Sequence, residues 1–372
     1  MSPLKKPRVF SILIFLMITA FCFNFLILAN FTWANHLLHF NDYGFLNYII
    51  GSTNNGLLMR APFPEDHNHL FVHFHYIFVL IQPLQYLFNQ GNLLHYFTSS
   101  CIAFGVIPLY FICKKKGLSK PMILGIIIYY FSNKYIHRNF MAFHYEPIVI
   151  PLLLSVFAFR AYGMFKWAFL AVILAFGVRD DFALLIGAAF LSYIPFDRKA
   201  WKFWLISGIV GILYFFLIRS LVMPLMHNPN QIHANLIQSF WGQYGSSYPE
   251  ILFYFLSHPF WILEQLLTKS ELLEFLSQGL FIPILSPFIL GVLPPMVYIT
   301  TYGTTNGELF FYASAILLPY FFVGLVDGLK HIEKVLRFKN RIIVGSLALL
   351  SSIIFFSHTQ ESFRSFHGYR TC

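Results

Sequence analysis

The side chains able to do chemistry come in short polar islands between apolar runs. His36, His39 and Asp42 form the first, and Glu65, Asp66, His67, His69, His73 and His75 the second. His137, Arg138, His144 and Glu146 form the third, and Arg179, Asp180 and Asp181 the fourth. Carboxylates and imidazoles at this density can move protons or hold hydroxyls and divalent cations. Arg179 and Arg138 add guanidinium forks that match phosphate oxygens. Asp42, in FNDYG, reads as a general base, a cation ligand or a turn aspartate before Gly44. His67 and Asp66 are candidate metal ligands beside it, although only His69 and His73 stand one helical turn apart and no tight metal spacing results. Glu146 and His144, in FHYEP, read as acid/base groups or as a helix start, with an acid favoured by the dipole and Pro147 at the first helical position. VRDDFAL is the most demanding island: Arg179 can pair with one aspartate, and the other then lacks a structural reason.

These islands must be positioned by membrane spans. The chain is 58% hydrophobic and 11% charged, against about 25% charged in a soluble domain, so an all-α, polytopic transmembrane bundle is expected as one domain over 1–372. The net charge of +10 sits in short clusters beside apolar runs, as topology signals do, which argues against nucleic acid. Lys5, Lys6 and Arg8 place the N-terminus in the cytoplasm, and the run to Phe31 is too long for a cleaved signal and reads as the first span. If 70–88 crossed, Lys114, Lys115, Lys116 and Lys120 would fall outside, so that stretch is read as interfacial or re-entrant. Spans then run near 94–113, 121–133, 147–162, 165–178, 182–195, 201–222, 273–286, 287–300, 309–328 and 341–357, about eleven in all. External loops near 32–93 and 223–272 follow, the second with amphipathic runs at 250–256 and 260–268 suited to the membrane surface. This topology puts every histidine but His331, and every acid but Asp197, Asp327 and Glu333, on the outer side.

Taken in order, NDYG, HFHYIFVLIQPLQYLF, GVIPLYFICKKKGL, FHYEP, VRDDFAL, YGSSYPEILFYFLSHP and FYASAILLPYFF resemble a domain-of-unknown-function family of polytopic bacterial membrane proteins grouped with the GT-C glycosyltransferase superfamily. Tyr76 and Tyr145 stand where that family more usually has proline. The resemblance implies a GT-C-like fold in the inner membrane, active on its outer face. It implies a polyprenyl-phosphate-linked sugar donor, an acceptor in the cell envelope and, in some members, a divalent metal such as Mg or Mn. Asp42 occupies the place of the catalytic aspartate in the first external loop. Arg179 and Arg138 would bind donor phosphate; His144, Glu146, Asp180 and Asp181 would shape the cavity or act as acid/base groups; His73 and His75 would support them. A transporter or lipid flippase, and a non-catalytic envelope assembly protein, remain as alternatives. ATP-driven transport and serine hydrolysis lack their motifs.

Overall fold

The computed structural model describes residues 9–34, 40–54, 59–61, 67–71, 73–88, 93–141, 144–225, 241–268, 270–301 and 312–335. His36, His39, Glu65, Asp66 and the expected span 341–357 lie outside the described residues, and of Asp42 and His67 only the backbone is described. The described chain is helical apart from a two-residue antiparallel ladder, β1 (Arg60–Ala61) with β2 (His67–Asn68). The helices are α1 (Val9–Ala34), α2 (Phe40–Asn54), α3 (Ile77–Phe88), α4 (Leu93–Phe104), α5 (Val106–Lys115), α6 (Lys120–Ser132) and α7 (Lys134–Met141). They continue as α8 (Val149–Ala161), α9 (Phe165–Phe176), α10 (Asp180–Leu191), α11 (Trp201–Leu217), α12 (Tyr248–Ser257), α13 (Pro259–Thr268), α14 (Ser270–Ser277), α15 (Leu293–Thr301) and α16 (Leu318–Val335).

Among the described residues, four stretches are long and apolar enough to cross a membrane: Phe10–Thr32, Leu93–Lys115, Trp201–Leu225 and Ser314–Val335. The first and third are only 28% buried against protein, so their outer faces meet lipid, whereas the last is 78% buried and is enclosed by the bundle. Lys120–Ser132, Phe165–Phe176 and Pro287–Thr301 are apolar but shorter. At 1.5 Å per residue, 12 residues reach about 18 Å, short of a hydrocarbon core of about 30 Å. Among the described residues helix length alone therefore supports four crossings, where the sequence suggests eleven with 341–357 included. The same limit applies to α3, whose 12 residues contain Pro83. The run 273–286 is not one helix: α14 ends at Ser277, Leu280 and Phe281 take left-handed backbone, and Ile282–Leu285 forms a 3-10 turn. Such irregular backbone needs protein around it, and Gly324 and Gly328 of α16 let Pro283 and Ile282 approach closely.

Local sequence explains other breaks. Leu93–Lys115 bends between α4 and α5 at Gly105, where Pro108 removes a helical donor and the Tyr130 hydroxyl donates to the Ile102 carbonyl at 2.5 Å. Asn133 separates α6 from α7 and caps the latter, its side-chain oxygen accepting from Tyr135 N at 3.0 Å and Ile136 N at 3.3 Å.

Helices α10 and α11 pack with their backbones in close approach. Gly187 and Gly211 bring the backbones together: a Cβ on Gly187 would stand 2.8 Å from the Gly208 carbonyl oxygen, and one on Gly211 2.5 Å from that of Ala183. Small residues at such a crossing are the usual means of close membrane helix packing. This contact fixes Asp180, at the start of α10, relative to the far end of the Trp201–Leu225 span. Gly211→Val should lower thermal stability in detergent by about 1–3 kcal/mol through overpacking. Gly44→Ala in α2, where a Cβ meets nothing within 4 Å, should be neutral or stabilising by up to about 1 kcal/mol.

Candidate functional site

Two polar clusters lie at opposite ends of α8 and α11. At one end, Arg160 pairs with Asp197, which also accepts from Trp204 Nε1 at 2.7 Å. Lys116 pairs there with Asp327, and both Arg160 and Lys116 sit over the Phe288 ring, at 5.6 and 5.8 Å. The other end gathers Glu146, Arg179, Asp180, Asp181 and Arg219. From Glu146 to Arg160 along α8, and from Trp204 to Arg219 along α11, the helical rise is about 20 Å. Between the ends, α10 carries no polar side chain from Phe182 to Leu191.

The second end holds the network that the sequence islands anticipate. Arg179 precedes α10 in an extended conformation, with φ −161, so its side chain leaves the helix axis while Asp180 and Asp181 occupy the first turn, where the helix dipole favours acids. Arg179 Nη1 donates to Glu146 Oε1 at 3.1 Å and Nη2 to Asp181 Oδ2 at 2.7 Å. Nη2 also donates to the Tyr298 hydroxyl at 2.9 Å, and that hydroxyl donates to Asp181 Oδ2 at 2.6 Å. Glu146 Oε2 is hydrogen-bonded to His144 Nδ1. Asp180 pairs with Arg219 through Oδ2 and accepts from Phe74 N through Oδ1 at 3.0 Å. Glu146 and Asp180 are fully buried. Burial alone would raise the Glu146 carboxyl, but the charge and hydrogen bond of His144, together with Arg179, hold it below the usual range.

The 73–76 segment docks onto this network by its backbone. Ile77 N donates to the Gly177 carbonyl at 3.0 Å, and the Tyr76 ring lies where a Cβ of Gly177 would point. His73 Nδ1 stands 4.0 Å from Asp180 Oδ1, with the ring side chain 30% exposed. His75 is fully buried. Its ring lies 4.9 Å from His69 and 5.0 Å from Tyr145, and Tyr145 lies 4.6 Å from His144. Neither His75 nitrogen has a hydrogen-bond partner among the described residues. Tyr76 and Tyr145, the departures from the resembled pattern, thus both bear on the site.

The structure brings together His73, His75, His144, Glu146, Arg179, Asp180 and Asp181. Asp42 belongs to the first turns of α2, three residues before Phe45, whose ring is 5.1 Å from His69. Arg138 lies on α7 with its guanidinium 5.7 Å from the Tyr135 ring; the second guanidinium on an acid of the network is Arg219. Sequence reasoning missed Arg219 and Tyr298. An arginine inside the apolar run 201–222 is a signal in itself, because ionisable groups in spans usually face protein or water. Arg219 sits in a π-helical turn, Ile218–Val222, a local widening common at functional sites.

Among the described residues no three His, Cys, Asp or Glu side chains form a metal-binding group. The acids of the network each carry a guanidinium, so they do not fit a divalent cation as they stand. The candidate metal residue Asp66 lies outside the described residues, and the side chains of Asp42 and His67 are not described.

Breaking a buried pair on one side leaves an uncompensated charge. Arg219→Leu should cost about 3–5 kcal/mol in thermal unfolding, and adding Asp180→Asn should restore most of it. Part of the pH response follows from His75. Burial, then neighbouring His69, His144 and Arg179, push its pKa well below the ordinary 6.5. As pH falls below that value the unfolded chain takes up a proton that the folded chain refuses, so stability declines, by up to about 1.4 kcal/mol per pH unit for one such group. His75→Phe should flatten this decline in melts between pH 7.5 and 5.5, taken here as roughly the window around the free-histidine pKa.

The sequence profile of a family described as "Predicted membrane protein (DUF2079)" matches residues 37–370. Comparison with curated proteins and with solved structures finds no match.

Proposed function

The chain belongs to the DUF2079 family of membrane proteins, and we propose that it is a glycosyltransferase that moves a sugar from a polyprenyl-phosphate-linked donor to an envelope acceptor. The observation that carries this reading is the convergence of five separate segments on one buried acid–base network, at one end of an apolar layer and beside the helix that holds Asp42.

In this reading the fold is GT-C-like, with the shorter apolar helices crossing beside the four long ones. The basic cluster of Lys114, Lys115, Lys116 and Lys120 faces the cytoplasm, and the Arg179 network faces outward in the inner membrane. Asp42 takes the proton from an acceptor hydroxyl as that oxygen bonds to the anomeric carbon; the bond from that carbon to the phosphate oxygen breaks, and polyprenyl phosphate leaves. Arg179 and Arg138 meet the phosphate charge. Arg179 Nε, which has no partner among the described residues, is a donor available for this. His144, Glu146, Asp180 and Asp181 hold the guanidiniums in place or exchange protons; His73 lines the approach, and the enclosed His75 supports the network from beside Tyr145. A transport path would need polar groups through the layer that α10 crosses, and its residues Phe182 to Leu191 supply none.

The test is transfer by the purified chain in lipid vesicles from a panel of polyprenyl-phosphate sugars. Asp42→Asn should lower the rate by about 10²-fold or more. Wild-type transfer with an equally active Asp42→Asn variant would remove the base role. No transfer from any donor of the panel would remove the enzyme class.

A further inference from the structure

The pair α12–α13, joined at His258, carries the most solvent-accessible aromatic and aliphatic side chains of the 241–268 region. Phe253 and Leu256 are each 72% exposed and Phe260 84%. At about 100° per residue, the exposed arc of α12 runs through Leu252, Leu256 and Phe253 and ends on Ser257 and Glu250. That of α13 runs through Leu263, Leu267 and Phe260 and ends on Glu264 and Thr268. Each helix thus shows an apolar half beside a polar edge on its open side. Ile251 and Leu266 face inward and are buried. Aromatic rings stiffen the pair from behind: Tyr244 lies 5.2 Å from Phe255 and 5.4 Å from Trp261. A helix with one apolar half and a polar edge fits the boundary of a bilayer.

The position agrees. α13 packs against α15, which carries Tyr298, and the Trp241 ring lies 4.9 Å from that tyrosine. The pair is therefore at the Arg179 end of the bundle. The span Trp201–Leu225 ends at the same level, with Leu221 57% and Leu225 82% exposed, and that span is lipid-facing over most of its surface. The exposed apolar surface of the pair thus lies at the end of a stretch long and apolar enough to cross a membrane. From 241 to 268 the sequence has no lysine or arginine, so insertion of the pair rests on burial of its apolar side chains.

We propose that α12–α13 is a membrane-inserting hairpin, which seats Phe253, Leu256 and Phe260 among the acyl chains at the bilayer boundary with Glu250 and Glu264 in water. This anchor ties the roof of the acid–base network, through Trp241 and Tyr298, to the membrane surface. It is independent of any catalytic activity of the network.

The test is photo-crosslinking. Benzoylphenylalanine replaces Phe253, Leu256, Phe260, Glu250 or Glu264 singly in the full chain, reconstituted into phosphatidylcholine nanodiscs. Mass spectrometry should find lipid adducts several-fold more abundant at the three apolar positions than at the two glutamates. The yield should not change with added salt or with added phosphatidylglycerol. Equal yields at all five positions, crosslinks to a second copy of the chain or to another protein, or no adducts would each overturn the proposal. The three apolar positions are independent and largely exposed, so loss of any one variant leaves the test intact.

Discussion

The fold depends on one electrostatic constraint: among the described residues, each acid of the buried network at the end of the apolar layer is paired with a guanidinium. Arg179 answers Glu146 and Asp181, Arg219 answers Asp180, and His144 takes the remaining oxygen of Glu146. These partners come from different parts of the chain. Pairing them forces the 73–76 segment, the start of α8, the α9–α10 corner and the π turn after α11 to meet. Ion pairs of this kind add little net stability over apolar packing, yet each strongly penalises any arrangement that separates its members. They therefore act chiefly as devices of specificity. The glycine contacts of α10 with α11 and the docking of Tyr76 on Gly177 are the steric counterparts that let the charges reach each other.

The opposite end repeats the solution with a different chemistry. Arg160, Asp197 and Trp204 form one group and Lys116, Asp327 and Ser286 another, with Phe288 shared between them. Asp197 and Asp327 are two of the three acids that the sequence reading sets on the inner side, and both are used to neutralise cations there. The chain thus closes its apolar layer on both faces, and the separation of about 20 Å is thinner than a bilayer's hydrocarbon. The lipid-facing faces of Phe10–Thr32 and Trp201–Leu225 supply the full thickness around it.

Much of this was legible in the sequence because cost leaves a trace. Hydrocarbon excludes charge, so the runs around Arg179 and Glu146 stood out, and the structure joins them. The long spans were legible from length and apolarity alone. Short apolar runs were not: twelve residues that cross and twelve that pack beside a crossing have the same composition, and 273–286 hides a helix break at Leu280 and Phe281 behind an apolar sequence. Arg219 escaped because one arginine barely alters the hydropathy of the run around it, and its partner Asp180 is remote in sequence. Tyr298 escaped because a tyrosine in an apolar helix is ordinarily a packing residue, and only its neighbours reveal the hydroxyl's use. His75 was noticed for its company of histidines, but that it would be wholly enclosed beside Tyr145 depends on chain segments distant from it.

The π turn at Ile218–Val222 makes the Trp201–Leu225 helix sensitive to count, and indifferent to composition only on its lipid-facing side. Its outer face touches lipid, where one aliphatic side chain serves as well as another. Its inner end must deliver a guanidinium to Asp180 at a fixed angle, measured from the glycine crossing at Gly208 and Gly211. A residue gained or lost between Gly211 and Arg219 would rotate that guanidinium by about 100° and present it to hydrocarbon. The outward positions of this segment should therefore drift freely by substitution across related chains while the segment admits no insertion or deletion.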